Sequence, residues 1–330
     1  MNSKEFSCFQ VSRDDSGQLR HTIATIGLQD LPAGEILVKV QWSSLNYKDA
    51  LAARAHPGVA GELPHVPGID AAGTVETSEE NRYQPGDQVL VTGYELGAPA
   101  WGGWSEYIRV PAEWVVALPA TLSTRDAMVL GTAGFTAAQC VREMQANGVA
   151  SGRVVVTGAT GGVGCWAIRL LSNLGYEVHA VTGKPHMREP LLALGATEVH
   201  GRELMTDNPK RPMLKAQWAG GVDTVGGSVL DALLKSTNIG GCVAACGLVG
   251  GDQLNLTVYP FILRGVKLAG VTSASCPRTA RELIWKKLSS DWKLELPEQF
   301  VQEIALDQLA DEISRINRGE HVGRTVIRIA

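Results

Sequence analysis

No stretch of the 330 residues stays apolar for the length of a membrane span, about 18 residues, and the opening Met1-Asn2-Ser3-Lys4-Glu5-Phe6 lacks the apolar core of a secretory leader. Neither sign of charge dominates: 30 Lys and Arg stand against 34 Asp and Glu, a net charge of −4 with histidine neutral. That balance gives no general attraction to nucleic acid or to an anionic membrane. Cysteine is sparse and scattered, at Cys8, Cys140, Cys165, Cys242, Cys246 and Cys276. The scatter excludes a disulfide framework and fits reduced, buried thiols. Cys242 and Cys246 are the closest pair, but they lie in an apolar, glycine-flanked run and no second pair completes a zinc site. Internal repeats and low-complexity tracts are also missing. The expectation is a cytoplasmic protein with no nucleic-acid and no membrane partner.

What is present begins with size. The chain exceeds a usual single domain, so two domains are expected, and an apolar content of 45% is enough for full cores. The strongest local signal is Val154-Val155-Val156-Thr157-Gly158-Ala159-Thr160-Gly161-Gly162-Val163-Gly164. A β-branched apolar run reads as a buried parallel strand, and glycines then crowd a turn. Val163, Ala167, Leu170, Leu171 and Leu174 follow at helical spacing. Strand, glycine turn and helix open a βαβ unit whose helix N-terminus favours an anion such as a pyrophosphate. Two glycine registers fit, Ala159-x-Gly161-x-x-Gly164 and Gly158-x-x-Gly161-x-x-Gly164, and both remain open. A P-loop is excluded because no Lys-Ser or Lys-Thr pair closes the motif.

Residues 1 to about 125 read as β-rich. Ile36–Trp42 alternates like a half-buried strand, and Ser43–Leu51 leads into a short helix. Val66–Val75, Pro85–Val91 and Gly102–Val110 are further strands after Gly and Pro bends, which suggests a small, partly open barrel. Ser123 or Thr124 can cap a helix, which Gly131–Ala138 interrupts and restarts. Strands near Glu177–Thr182, Val222–Val225, Gly241–Gly247 and Val266–Val271 alternate with helices, the pattern of a doubly wound parallel sheet. In the tail, Ala280, Leu283, Ile284 and Leu288 make an apolar stripe with Arg278, Arg281, Lys286 and Lys287 on a solvated face. A helix over Leu306–Ile316 and a strand over Gly323–Ile329 close the chain.

The order of these motifs resembles the medium-chain dehydrogenase/reductase superfamily over the whole length. Within it, Ser43–Leu51, Val66–Gly73, Gly131–Ala137, Val156–Gly164, Gly241–Gly247 and Pro260–Arg264 are close to the zinc-free quinone oxidoreductase branch of YhdH/AcuI type. The resemblance implies an α/β protein in which a Rossmann NADPH-binding domain (about 126–294) is inserted in a GroES-like catalytic domain (1–125 plus about 295–330), with the cleft at their junction. Zinc enzymes of the superfamily carry Gly-His-Glu where this chain has Gly68-Ile69-Asp70, and a four-cysteine lobe that is missing here. His65 belongs to no ligand set. No metal is expected. The resemblance further implies a homodimer paired through Val266–Val271.

An acid usually holds the ribose 2′-hydroxyl of NAD about 20 residues beyond the glycines. Here that place reads Thr182-Gly183-Lys184. Thr182 and Gly183 can donate to a phosphate and Lys184 can neutralise it, so NADPH is expected; Lys184 as an ordinary surface lysine is the alternative. By the resemblance, Arg202 adds a phosphate contact, and Tyr47, Thr160, Gly161, Gly162, Val163, Leu248, Ile262 and Ser273 line the cofactor. The same resemblance puts Asn46, Tyr47, Asp49 and Arg324 at the nicotinamide. Asn46 offers an amide donor to a substrate oxygen, and Tyr47 a hydroxyl or a stacking face. Asp49 is an orienter paired with Arg324 or with a backbone donor. Structural roles for Tyr47 and Asp49 stay equally open. The expected reaction is hydride transfer to the conjugated C=C of a small enoyl thioester, acrylyl-CoA foremost, with quinone reduction as the alternative.

Overall fold

The computed structural model describes residues 4–206 and 211–330; Met1-Asn2-Ser3, where the leader reading begins, lies outside the described residues. Two compact units emerge. The first comprises Met1–Thr132, Ser273–Asp291 and Val301–Ala330, and the second Ala133–Thr272 and Trp292–Phe300.

The first unit opens with an antiparallel hairpin of β1 (Glu5–Arg13) and β2 (Leu19–Gly27). Next come β3 (Ile36–Leu45), helix α1 (Tyr47–Ala52), β4 (Asp70–Ser78), β5 (Gln88–Thr92), β6 (Tyr107–Val110) and β7 (Val115–Ala117). Helix α2 (Thr124–Ala146) leads out of this unit. Ser123 caps it, its Oγ accepting from the Asp126 N–H at 3.0 Å. Gly131 then breaks the helix with φ 50°, ψ −157°, where the sequence predicts an interruption. That conformation is close to forbidden for any residue with a Cβ.

The second unit runs β8 (Arg153–Thr157), α3 (Gly162–Asn173), β9 (Glu177–Val181), α4 (Arg188–Leu194), β10 (Glu198–His200), α5 (Glu203–Thr206), β11 (Trp218–Asp223), α6 (Gly227–Ser236), β12 (Thr237–Ala245), α7 (Tyr259–Arg264) and β13 (Lys267–Gly270). The six strands are all parallel in the order β10-β9-β8-β11-β12-β13. This is the doubly wound Rossmann order, whose reversal falls between β8 and β11. Val155, Leu233, Leu234 and Val243 are fully buried in its core, which explains the apolar runs Val154–Val156 in β8 and Cys242–Ala245 in β12.

The chain returns to the first unit through α8 (Arg278–Leu288), β14 (Val301–Ala305), α9 (Leu309–Asn317) and β15 (Arg324–Arg328). There β15 joins β3 antiparallel and β14 parallel, completing a seven-stranded sheet of order β14-β15-β3-β4-β5-β7 with β6 also on β3. Two basic residues of α8 depart from the expected solvated face. Arg281 is buried, its guanidinium donating to the Thr92 carbonyl at 2.6 Å and the Ser273 carbonyl at 2.8 Å. Arg278 reaches the Tyr83 hydroxyl at 2.8 Å and the carbonyls of Ala112 and Glu113 at 3.1 Å. A guanidinium can be buried when carbonyls take its forked donors. These bonds tie α8 into the first unit, whereas the sequence boundary near 294 counts it with the Rossmann part.

Candidate active site

In the first unit, polar side chains from four segments meet around Asp70, at the start of β4. Its Oδ2 accepts from Ser44 Oγ at 2.6 Å, from Asn46 Nδ2 at 2.9 Å and from the Thr132 N–H at 2.9 Å; its Oδ1 accepts from Thr132 Oγ1 at 2.6 Å. Arg324 on β15 is close by, Nη2 at 4.0 Å from Asp70 Oδ2. Its Nε donates to the Val129 carbonyl and Nη2 to that of Met128, at 3.0 and 3.2 Å. Both carbonyls lie in the turn just before the break in α2 at Gly131, where helix carbonyls need donors from outside the helix, and the arginine supplies them. Nη1 donates to Asn46 Oδ1 at 3.1 Å. Gly131 is needed here for a second reason: a Cβ would stand 2.6 Å from Asp70 Oδ2 and 2.8 Å from Arg324 Nη2.

Asn46, between β3 and α1, therefore links the two opposite charges, accepting from Arg324 and donating to Asp70. Its Nδ2 also lies 3.2 Å from Ser44 Oγ and 3.3 Å from Asp49 Oδ2. The expected donor to a substrate oxygen is thus turned into the protein, toward acceptors that a neutral amide satisfies well. Of the two partners considered for Asp49, the structure supplies the backbone ones. Oδ1 accepts from the N–H groups of Gly68 and Ile69 at 3.1 and 2.8 Å, and Oδ2 from that of Asn46 at 2.8 Å. Asp49 is fully buried. Burial, and then the charge of Asp70, push its carboxyl up to about 7, although these N–H groups pull the other way. Tyr47, the first residue of α1, is 43% exposed. His65 is buried with Nε2 3.0 Å from the Gly97 carbonyl.

In the second unit the glycine turn joins β8 to α3. Gly158 has φ 59°, and a Cβ there would strike Thr224 Oγ1; one on Gly164 would strike the Gly158 carbonyl. A Cβ on Gly161 would meet only that carbonyl oxygen, at 3.3 Å, leaving the approach to the α3 N-terminus open. Tight turn, open approach and close helix packing are the three glycine roles of a dinucleotide fingerprint. They select the Gly158-Gly161-Gly164 register. Thr160, Gly161, Gly162 and Val163 form the rim of this turn, with the first N–H groups of α3 lacking intrahelical acceptors. Thr157 Oγ1 donates to Asp223 Oδ1 at 2.6 Å, and Thr224 Oγ1 to the Thr157 carbonyl at 3.0 Å, which locks the ends of β8 and β11 together. Burial raises the Asp223 carboxyl above its ordinary value.

Beyond β9, Thr182 Oγ1 accepts from the Lys184 N–H at 3.1 Å, so the hydroxyl hydrogen is left to donate elsewhere. The guanidinium of Arg202 lies against Gly183, where any Cβ would strike it. Thr182, Gly183, Lys184 and Arg202 therefore form one group. Leu248 and Ile262 are exposed side chains of the same unit; Tyr47 and Ser273 belong to the first. Sequence reasoning leaves out Ser44, Asp70, Thr132 and Asp223. The available signal for Asp70 is that it stands where zinc enzymes of the resembled superfamily carry the glutamate of Gly-His-Glu.

Residues 32–120 match the alcohol dehydrogenase GroES-like domain, and residues 162–290 the zinc-binding dehydrogenase family. The chain is 42% identical to the acrylyl-CoA reductase AcuI of Ruegeria pomeroyi, covering 98% of this chain and 99% of that one. It belongs to the medium-chain dehydrogenase/reductase superfamily. A second member, "Putative quinone oxidoreductase YhfP" of Bacillus subtilis, is 44% identical over 98% of this chain and 99% of its own; its crystal structure, with NAD bound, superposes with a TM-score of 0.94 over 99% and 100% of the two chains. The yhdH oxidoreductase of Salmonella enterica, solved in complex with NADP, gives 0.93 at 44% identity, covering 98% of this chain and all of that one. Like these dehydrogenase/reductases, the chain joins a GroES-like unit to a Rossmann one. Among its described residues no helix is long and apolar enough to cross a membrane.

Proposed function

We propose that the chain is an NADPH-dependent, zinc-independent reductase of a small conjugated thioester, with acrylyl-CoA giving propanoyl-CoA. The observation that carries this reading is the identity to an acrylyl-CoA reductase across 98% of the chain, which takes in both the Asp70 group and the glycine turn. Bound NADPH supplies the hydride that adds to the β-carbon. The rim Thr160, Gly161, Gly162 and Val163 holds the pyrophosphate on the α3 N-terminus. Thr182 Oγ1, the Gly183 N–H, Lys184 and Arg202 hold the 2′-phosphate, which an acid at that place would repel. Tyr47, Leu248, Ile262 and Ser273 complete the cofactor contacts.

Ile69 stands where zinc enzymes place a ligand histidine, so a carbonyl here has no Lewis acid built for it. Conjugate addition asks less: a donor for the acyl oxygen as enolate charge develops. The exposed Tyr47 hydroxyl at the head of α1 suits that donor. Asn46, Asp49 and Arg324 position it by fixing the start of α1. Solvent or a nearby hydroxyl protonates the α-carbon. Quinone reduction is the second reading, favoured by the likeness to YhfP, whose bound NAD marks the alternative nucleotide.

NADPH and NADH oxidation with acrylyl-CoA, crotonyl-CoA and a benzoquinone, run in parallel, separates these readings. The highest kcat/KM is expected for NADPH with acrylyl-CoA. A higher value for the quinone would transfer the assignment, and no turnover with any of them would reduce it to nucleotide binding. The working form is proposed to be a homodimer, since β13 ends its sheet and an open edge is normally covered. Light scattering at micromolar concentration should give twice the 35.2 kDa of one chain.

A further inference from the structure

The tripeptide Glu-Val-His occurs twice, at Glu177–His179 and Glu198–His200, on the neighbouring parallel strands β9 and β10. Their register sets His179 opposite Glu198, and the two-residue period of a strand then puts Glu177, His179, Glu198 and His200 on one face. β10 is the end strand of the sheet, so this face lies at an open edge. Among the described residues, His179, Glu198 and His200 form the group of side chains whose ligand atoms come close enough to hold a metal ion.

The geometry can be tested against bond lengths. His179 Nδ1 and His200 Nε2 are 3.0 Å apart, and Glu198 Oε2 is 3.4 Å from the second and 3.8 Å from the first. A triangle with those edges has a circumradius of about 2.0 Å, the length of a Zn–N or Zn–O bond. One ion can thus be bonded to all three atoms with little movement of the backbone. The two imidazoles lie within 9° of parallel, so one must turn about its Cβ–Cγ bond to aim its lone pair. His200, 24% exposed at the sheet edge, has the room.

Glu177 supplies what a simple pair of hydrogen-bonded histidines would not need. Its Oε1 lies 3.2 Å from His179 Nε2 and is held by Arg153 Nε at 2.9 Å. It takes the Nε2–H, which leaves the Nδ1 lone pair facing the other two ligands. This is the carboxylate–histidine–metal arrangement that fixes ligand tautomers in metal sites. Trp218 packs on His179, ring centroids 4.9 Å apart, and keeps that ring dry.

We propose that His179 Nδ1, His200 Nε2 and Glu198 bind a divalent transition-metal ion of the zinc class, with the remaining position taken by water. The ion would brace β10, which is paired to β9 through only three residues, Glu198, Val199 and His200. Untagged full-length protein, stripped with a chelator and desalted, should be titrated with Zn2+ by calorimetry and with Co2+ in the visible range. One equivalent should bind, Co2+ should give the strong absorption of a tetrahedral site, and Zn2+ should raise Tm. His200→Gln and Glu198→Gln should each weaken binding at least tenfold with unchanged circular dichroism. Glu177→Gln, acting through His179, should weaken it about tenfold. Failure of the parent protein to bind one equivalent, or unchanged affinity in both ligand variants, would overturn the site.

Discussion

The Asp70 group of the first unit and the glycine turn of the second are both polar sites at the ends of strands, but they are put together in opposite ways. The turn uses eleven consecutive residues, Val154–Gly164, and its polarity is backbone polarity, oriented by one helix. The Asp70 group draws on β3 and the start of α1, on β4, on the break in α2 and on β15, and its charges are buried side chains. A local site loses ligand affinity when altered. A dispersed, buried one loses the fold around it, because each member is a hydrogen-bond partner that another cannot do without.

Arg324→Ala should break the comparison most severely. It removes the buried cation beside Asp70 and the donors to Val129, Met128, Leu45 and Asn46. Loss of one partner from a buried charged pair costs roughly 3–5 kcal/mol, so urea unfolding should place this variant far below the parent protein. A loss under about 1 kcal/mol would show that the group is not structural.

Asp49 tests the same unit through pH. Its carboxyl is raised from 3.8 to about 7, so the folded state holds the proton longer than the unfolded one. The contribution to stability is complete below the unfolded value and is lost as pH rises through 4 to 7. The stability difference between the parent protein and Asp49→Asn should therefore fall across that window, by on the order of 4 kcal/mol for a shift of this size. A difference that stays level from pH 4 to 8 would place the proton elsewhere.

Gly131→Ala sharpens the contrast with the turn. A left-handed backbone strained by a Cβ costs roughly 1–3 kcal/mol, and here the added carbon also meets Asp70 and Arg324. Lower Tm is expected, with NADPH affinity in the remaining folded protein unchanged. Lys184→Ala should do the reverse. Loss of a charge-assisted phosphate contact costs roughly 1.5–3 kcal/mol, so NADPH should bind about tenfold to a hundredfold more weakly. NADH affinity and Tm should hold. Equal losses for both nucleotides would make Lys184 an ordinary surface lysine.

The Rossmann unit was the more legible of the two in sequence. Val154–Val156 are fully buried, as an unbroken β-branched run implies, and the glycines that follow allow few turns. Even so, the choice between two glycine registers needed Thr224, which lies against Gly158 from just beyond the end of β11. Arg281 misled for a related reason. On its own helix it reads as part of a basic face, and its burial depends on acceptors supplied from elsewhere, the carbonyls of Thr92, Ser273 and Ala274 among them. Hydrogen-bond partners distant in sequence leave no local periodicity.

What the sequence determined by itself is whatever one or two turns of chain can specify. A β-branched run, a glycine turn and an apolar helical stripe encode strand, anion-binding turn and helix, because their backbone geometry and burial depend on near neighbours. The tertiary structure alone decided which distant polar groups share an environment. Asn46 meets Arg324 across 278 residues, and the two Glu-Val-His tripeptides meet only because β9 and β10 pair with His179 opposite Glu198. A carboxylate, an arginine or an imidazole carries the same label anywhere in a sequence. Its charge, tautomer and donors take a definite state only when the fold removes water and supplies partners.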